Sequence, residues 1–221
     1  MTTIRRNGIN VTAIYGGREW DRAVLAVKAL ENKITGSYRT GVPLIVKQAL
    51  KRYLTTVART VAARNSGTYP GGTTSSSLSV RTGEGIQSIL NSVEVGGSFI
   101  DNIYGIIGGA SYLRINEFGG VIRPRNGRYL TVPLPPALHS NGTPKKRSAR
   151  DWNDTFIQRS RNGNLLIFQQ RGRDIIPLYV LKEQVYIPPR LGLTLTLDQF
   201  ISVFLRDVAN RVRAEFRSAL R

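Results

Sequence analysis

The sequence predicts an α+β fold: a small antiparallel sheet packed against one long helix and a C-terminal helix, with extended loops. Apolar residues recur at three- and four-residue steps in two long stretches, Val46, Leu50, Tyr53, Leu54, Val57 and Val61, then Phe200, Phe204, Leu205, Val208 and Val212. That is the spacing of one helix face. Between the two stretches lie short β-branched and aromatic runs separated by Gly, Asn and Pro clusters. Those read as strands and turns. The 221 residues, 41% of them hydrophobic, are enough for one domain with a core plus an appendage.

Taken in order, residues 1–35 form an N-terminal helical extension and 36–221 the main domain. Trp20, Val24, Val27, Leu30 and Ile34 predict a helix over 18–34. Gly36 and Gly41 break it, and a second helix follows over 43–63. Pro43 suits its first turn, where a missing N–H is harmless. Residues 65–79 are a Ser/Thr/Gly loop with too little apolar area to offset its ordering entropy, expected to be mobile. It lacks the Gly-Lys-Ser/Thr ending of a phosphate-binding loop. Ser88–Val95 and Ile103–Ile107 read as two strands with a turn near Asp101-Asn102, and Tyr129–Leu134 as another. The Pro-, Asn- and Lys-rich stretch 135–153 reads as a second exposed loop. Thr155–Arg159 and Leu165–Gln169 flank Asn162-Gly163, a dipeptide that tolerates positive φ at both positions and so marks a hairpin. Leu178–Gln184 adds a strand. The last helix spans 197–219, with capping-box spacing at Thr196 and Gln199 and arginines gathered toward its end.

Charge is the dominant feature of the composition. Thirty-two Lys and Arg stand against 14 Asp and Glu, a formal +18. Such a surplus attracts polyanions and repels copies of the chain. No acid falls between Glu31 and Glu84, nor between Glu117 and Asp151. Arg123, Arg125, Arg128, Lys145, Lys146, Arg147 and Arg150 fill the second gap, and they are candidate contacts to DNA or to an acidic protein ring. No helix-turn-helix, zinc-finger or aromatic RNA-binding signature accompanies them. There are no cysteines, so disulfides and thiolate metal sites are excluded. No apolar leader follows Arg5-Arg6, and no run reaches the length of a membrane span.

The residues for catalysis are sparse. The single histidine, His139, sits in the 135–153 loop and reads as a surface residue. Asp151 and Asp154 read as a solvated pair. Asp21 with Glu31-Asn32-Lys33 loosely mimics a nuclease arrangement, but on one helix the carboxylates would not converge on a metal. The expectation is therefore no enzymatic activity, no cofactor and no metal, in favour of a binding or structural role.

Three motifs occur in a fixed order: Arg81-Thr82-Gly83, Glu117-Phe118-Gly119-Gly120, and Ile187-Pro188-Pro189-Arg190 ahead of the last helix. In that order the chain resembles the phage virion-morphogenesis or tail-completion family of the Mu type, and the related head–tail joining and tail-terminator proteins. It departs from the family pattern after Arg190, where Leu191-Gly192-Leu193 replaces the usual Pro-Phe. The resemblance covers about residues 40–218, leaving 1–35 and the 135–153 loop as additions. It implies a structural subunit of the virion neck or tail, assembled in the host cytoplasm. It further implies a ring of six or twelve copies around the DNA channel, with neck, connector or tail-tube neighbours and non-specific contact with genomic DNA. Within it Thr82, Gly83, Glu117, Phe118, Gly119, Gly120, Pro188 and Pro189 read as fold-setting, and Arg81 and Arg190 as intersubunit contacts. The alternative from another class is a free, non-sequence-specific DNA-binding protein; the alternative from the enzyme class is a virion nuclease built on Asp21 and Glu31.

Overall fold

The computed structural model describes residues 11–12, 41–98 and 102–219. The helix expected over 18–34, the Asp21 and Glu31 pair and the turn position Asp101 lie outside the described residues. Those residues form an α+β fold of helices and small antiparallel sheets. Its elements are β1 (Val11–Thr12), α1 (Gly41–Arg64), α2 (Glu84–Leu90), β2 (Glu94–Gly96), β3 (Tyr104–Ile107), α3 (Leu113–Phe118), β4 (Gly120–Ile122), β5 (Leu130–Pro133), β6 (Thr155–Arg159), β7 (Leu165–Arg171), β8 (Asp174–Lys182), β9 (Val185–Ile187) and α4 (Leu193–Ala219). They fall into two compact units. One comprises Met1–Arg64, Glu84–Glu117 and Leu191–Arg221; the other comprises Asn65–Gly83 and Phe118–Arg190.

In the first unit, α1 buries the stripe its sequence predicts: Val46, Leu50, Tyr53, Leu54, Val57 and Val61. It packs on α4, which buries Leu197, Phe204, Val208 and Val212. Each such side chain removed from water contributes roughly 1.5–3 kcal/mol. Tyr53 stacks on Phe204 with ring centroids 5.0 Å apart. Its hydroxyl donates to the Leu197 carbonyl at 2.8 Å. Arg52 and Arg211 both pair with Asp207 outside this seam. The three-stranded sheet, ordered β1-β3-β2, also contacts α1 through β2 and β3. Gly105 in β3 lets the strand approach closely: a Cβ there would stand 2.6 Å from Leu54 Cδ1.

The strand expected over Ser88–Val95 starts as the end of a helix, Ser88–Leu90, followed by a turn at 91–92. Ile86, Ile89 and Leu90 have helical spacing, Gly83 at φ 81° turns the chain into α2, and Glu84 sits favourably in its first turn. Ser88 Oγ donates to the Gly85 carbonyl at 2.7 Å and accepts from the Ala110 N–H at 2.9 Å. Only Glu94–Gly96 remains strand, paired with Tyr104–Ile106.

The second unit holds a four-stranded antiparallel sheet, ordered β5-β8-β7-β6, and a two-stranded one, β4-β9. The expected hairpin joins β6 and β7, with a different turn. Gly163 N–H donates to Ser160 O at 2.9 Å and Ser160 N–H to Asn164 O at 2.8 Å. Of Asn162 and Gly163 only the glycine has positive φ, at 77°. This is a type I turn followed by a left-handed residue, a three-residue loop rather than a two-residue one. Strand β8 begins earlier than Leu178, because a bulge accommodates Pro177. Ile167 opposes Tyr179 but Phe168 opposes Pro177, leaving Leu178 as the extra residue. Leu178 and Tyr179 both reach the small core formed with Ala137, against which Trp152, Ile167 and Ile176 pack.

The two expected loops are tied internally. In 65–79, the Leu78 N–H donates to Asn65 Oδ1 at 2.7 Å and Ser77 Oγ to the Gly72 carbonyl at 3.0 Å. The 135–153 segment contains 3-10 turns at Pro135–Ala137 and Ala149–Asp151, the latter closed by a Ser148–Asp151 capping box. His139 is exposed within it.

Candidate functional site

Glu117 is the buried carboxylate of the first unit, 8% exposed. Its oxygens accept the N–H groups of Leu193 and Thr194, each at 2.8 Å. It therefore caps α4 from 76 residues away. A negative charge at a helix N-terminus satisfies orphan donors and complements the helix dipole. This corrects the capping box expected at Thr196 and Gln199. Thr196 lies inside the first turn, fully buried, and donates its hydroxyl to the Gly192 carbonyl at 2.7 Å. Arg64 donates to that hydroxyl at 2.6 Å.

In the second unit the Gly119-Gly120 and Ile187-Pro188-Pro189 motifs meet at the β4–β9 ribbon. Gly120 opposes Ile187, Val121 opposes Tyr186, and Ile122 opposes Val185. Gly119 ends α3 at φ 71°, and a Cβ there would lie 2.9 Å from Pro189 Cδ. Gly119 is thus required by both conformation and space. Pro188 and Pro189 follow β9, where a missing N–H costs no ladder bond. Phe118 and Tyr186 are 62% and 64% exposed, and Val121 and Ile122 are exposed beside them. Arg190 is half-buried, and its Nε has no hydrogen-bond partner among the described residues.

Arg81 is engaged within its own unit. Its guanidinium donates to the Gly142 carbonyl at 2.9 Å and lies 5.0 Å over the Tyr69 ring. It thereby ties the Ser/Gly loop to the 135–153 segment, while Thr82 is exposed beside it and Gly83 half-buried. Arg123 and Arg125 are exposed just beyond β4, with no hydrogen bond or ion pair among the described residues. Arg128 is exposed, 5.3 Å over the Tyr129 ring. Lys145 donates to the Pro136 carbonyl at 2.9 Å. Lys146 and Arg147 are exposed without partners among the described residues, and Arg150 lies in the capped 3-10 turn.

The sequence reading did not single out Arg159, Arg161 and Lys182, which are scattered over three segments. The sheet register gathers them. Arg159 opposes Leu165, Leu165 opposes Leu181, and Leu130 opposes Lys182, so all three cations lie at the end of the sheet that carries the 160–164 loop. Asn162-Gly163, marking a hairpin turn directly after Arg159 and Arg161, was the available signal.

Two tyrosines have raised pKa values. Tyr53 is raised by burial and then by the Asp198 charge. Tyr112 is raised by burial and then by the Glu84 charge. A raised value keeps both hydroxyls neutral, so neither is a poised base. Among the described residues no group of three or more His, Asp and Glu is placed to hold a metal ion, and no helix is long and apolar enough to cross a membrane. Compared with family models, with curated proteins and with solved structures, the chain matches none.

Proposed function

We propose that the chain is a non-enzymatic structural virion protein of a tailed bacteriophage. It acts at the neck or tail end in tail completion and head–tail joining, as one subunit of an oligomeric ring around the DNA channel. The observation that supports this reading is the use made of the motifs. Glu117 reaches the first turn of the last helix, and Gly119-Gly120 and Ile187-Pro188-Pro189 form one ribbon. Residues far apart in sequence thus serve shared structures, as a set of fold-setting motifs should. The ribbon leaves Val121, Ile122 and Tyr186 uncovered, and Phe118 is exposed at the end of α3 just before it. Two strands alone are marginally stable, and the exposed apolar side chains on them favour burial against a neighbour. A ring supplies every copy with one.

Electron microscopy of a lysate from phage lacking this gene tests the reading. DNA-filled heads beside separate tails are expected, and overlong tails would narrow the role to tail termination. Intact virions would remove the chain from the assembly pathway. They would favour the second reading, a free DNA-binding protein, which rests on the exposed cations Arg123, Arg125, Lys146 and Arg147, without partners among the described residues.

A further inference from the structure

We propose that the 160–164 end of the four-stranded sheet is a docking site for the phosphates of duplex DNA, carried by Arg128, Arg159, Arg161 and Lys182. The assignment holds whether or not the chain forms a ring. All four residues are exposed. Arg159 is held by its bond to the Gly163 carbonyl at 2.8 Å, and Lys182 by its bond to Asn164 Oδ1 at 3.2 Å. Each keeps further donors free for a ligand. Arg161 has no partner among the described residues.

The two ends of the sheet differ in charge. The acids of this unit are Asp151, Asp154, Asp174 and Glu183. At the opposite end Asp174 is the register partner of Arg171, and Asp154 accepts the Gln170 N–H through its carbonyl. Cations and acids are mixed there. At the 160–164 end Glu183 alone is set against four cations.

The spacing suits a duplex. Four strands place β5 and β6 roughly 14 Å apart at about 4.8 Å per step. Arg128 on one flank and Arg159 and Arg161 on the other can then straddle a groove about 12 Å wide. No base-reading side chain is needed, so the binding is independent of sequence and steeply salt-dependent.

The test uses the full chain and a fluorescein-labelled 30-bp duplex of arbitrary sequence, followed by anisotropy from 50 to 200 mM NaCl. Replacing Arg128, Arg159, Arg161 and Lys182 with Ser should lower the salt slope by about 3.6, at about 0.9 per phosphate contact, and weaken binding at 100 mM by at least about tenfold. Arg161→Gln alone, which breaks no hydrogen bond and leaves the fold intact, should lower the slope by about 1. Serine at Lys145, Lys146, Arg147 and Arg150 removes the same charge and should cost less than half as much slope. Equal losses in the two fourfold variants would overturn the site, as would a wild-type chain that does not bind. Displacement of the duplex by poly-L-glutamate at equal charge concentration would overturn it in favour of an acidic protein.

Discussion

Glu117 shows how one side chain can hold a helix in place. A buried carboxylate accepting two backbone N–H groups makes charge-assisted bonds, each contributing about 1.5–3 kcal/mol. Glu117→Gln keeps the shape but removes the charge and turns an amide NH2 toward one of the donors. Its expected cost is about 2 kcal/mol, a fall in Tm of roughly 4–8 °C for a chain of this size, read by calorimetry. A change under about 1 °C would show that water caps α4 equally well. Glu117 was already marked by its motif, but its role was not legible there. Capping is visible in sequence only when cap and helix are adjacent, and here 76 residues intervene. Arg81 behaves similarly: its partners Tyr69 and Gly142 lie in two different loops.

Among the elements, the long helices were legible and the short ones were not. The stripes of α1 and α4 run for many turns, so each apolar residue reinforces the same period. Helix α2 has seven residues, too few for periodicity to separate helix from strand, and Ser88 supplied hydrogen bonds that favour the helical form. Strand β8 was truncated at Leu178 because Pro177 reads as a breaker; the bulge that tolerates it depends on β7. The β4–β9 ribbon depends on Gly119 in the same non-local way. Gly119→Ala forces a left-handed backbone on a residue with a Cβ and drives that Cβ into Pro189. A loss of about 1–3 kcal/mol is expected. Hydrogen exchange should show Val121 and Tyr186 losing protection before the amides of α1. Unchanged protection at both would mean that the ribbon does not depend on this turn.

For the whole molecule, charge is the property that matters most outside the core. The exposed block Lys145, Lys146, Arg147 and Arg150 is separate from the sheet-end cations, and the two can be assigned different work. If the proposed virion role holds, serine at those four positions should impair assembly or DNA retention in complemented phage, scored by microscopy and infectious titre. Normal titre would take this block out of assembly. The net charge, the absence of cysteine, the α+β class and the two long helices follow from the chain alone, because composition and helical period are local, additive properties. The cap on α4, the bulge at Pro177 and the gathering of Arg128, Arg159, Arg161 and Lys182 follow only from the fold. Each depends on strand register or on a contact between distant segments, and no residue's immediate neighbours in sequence encode either.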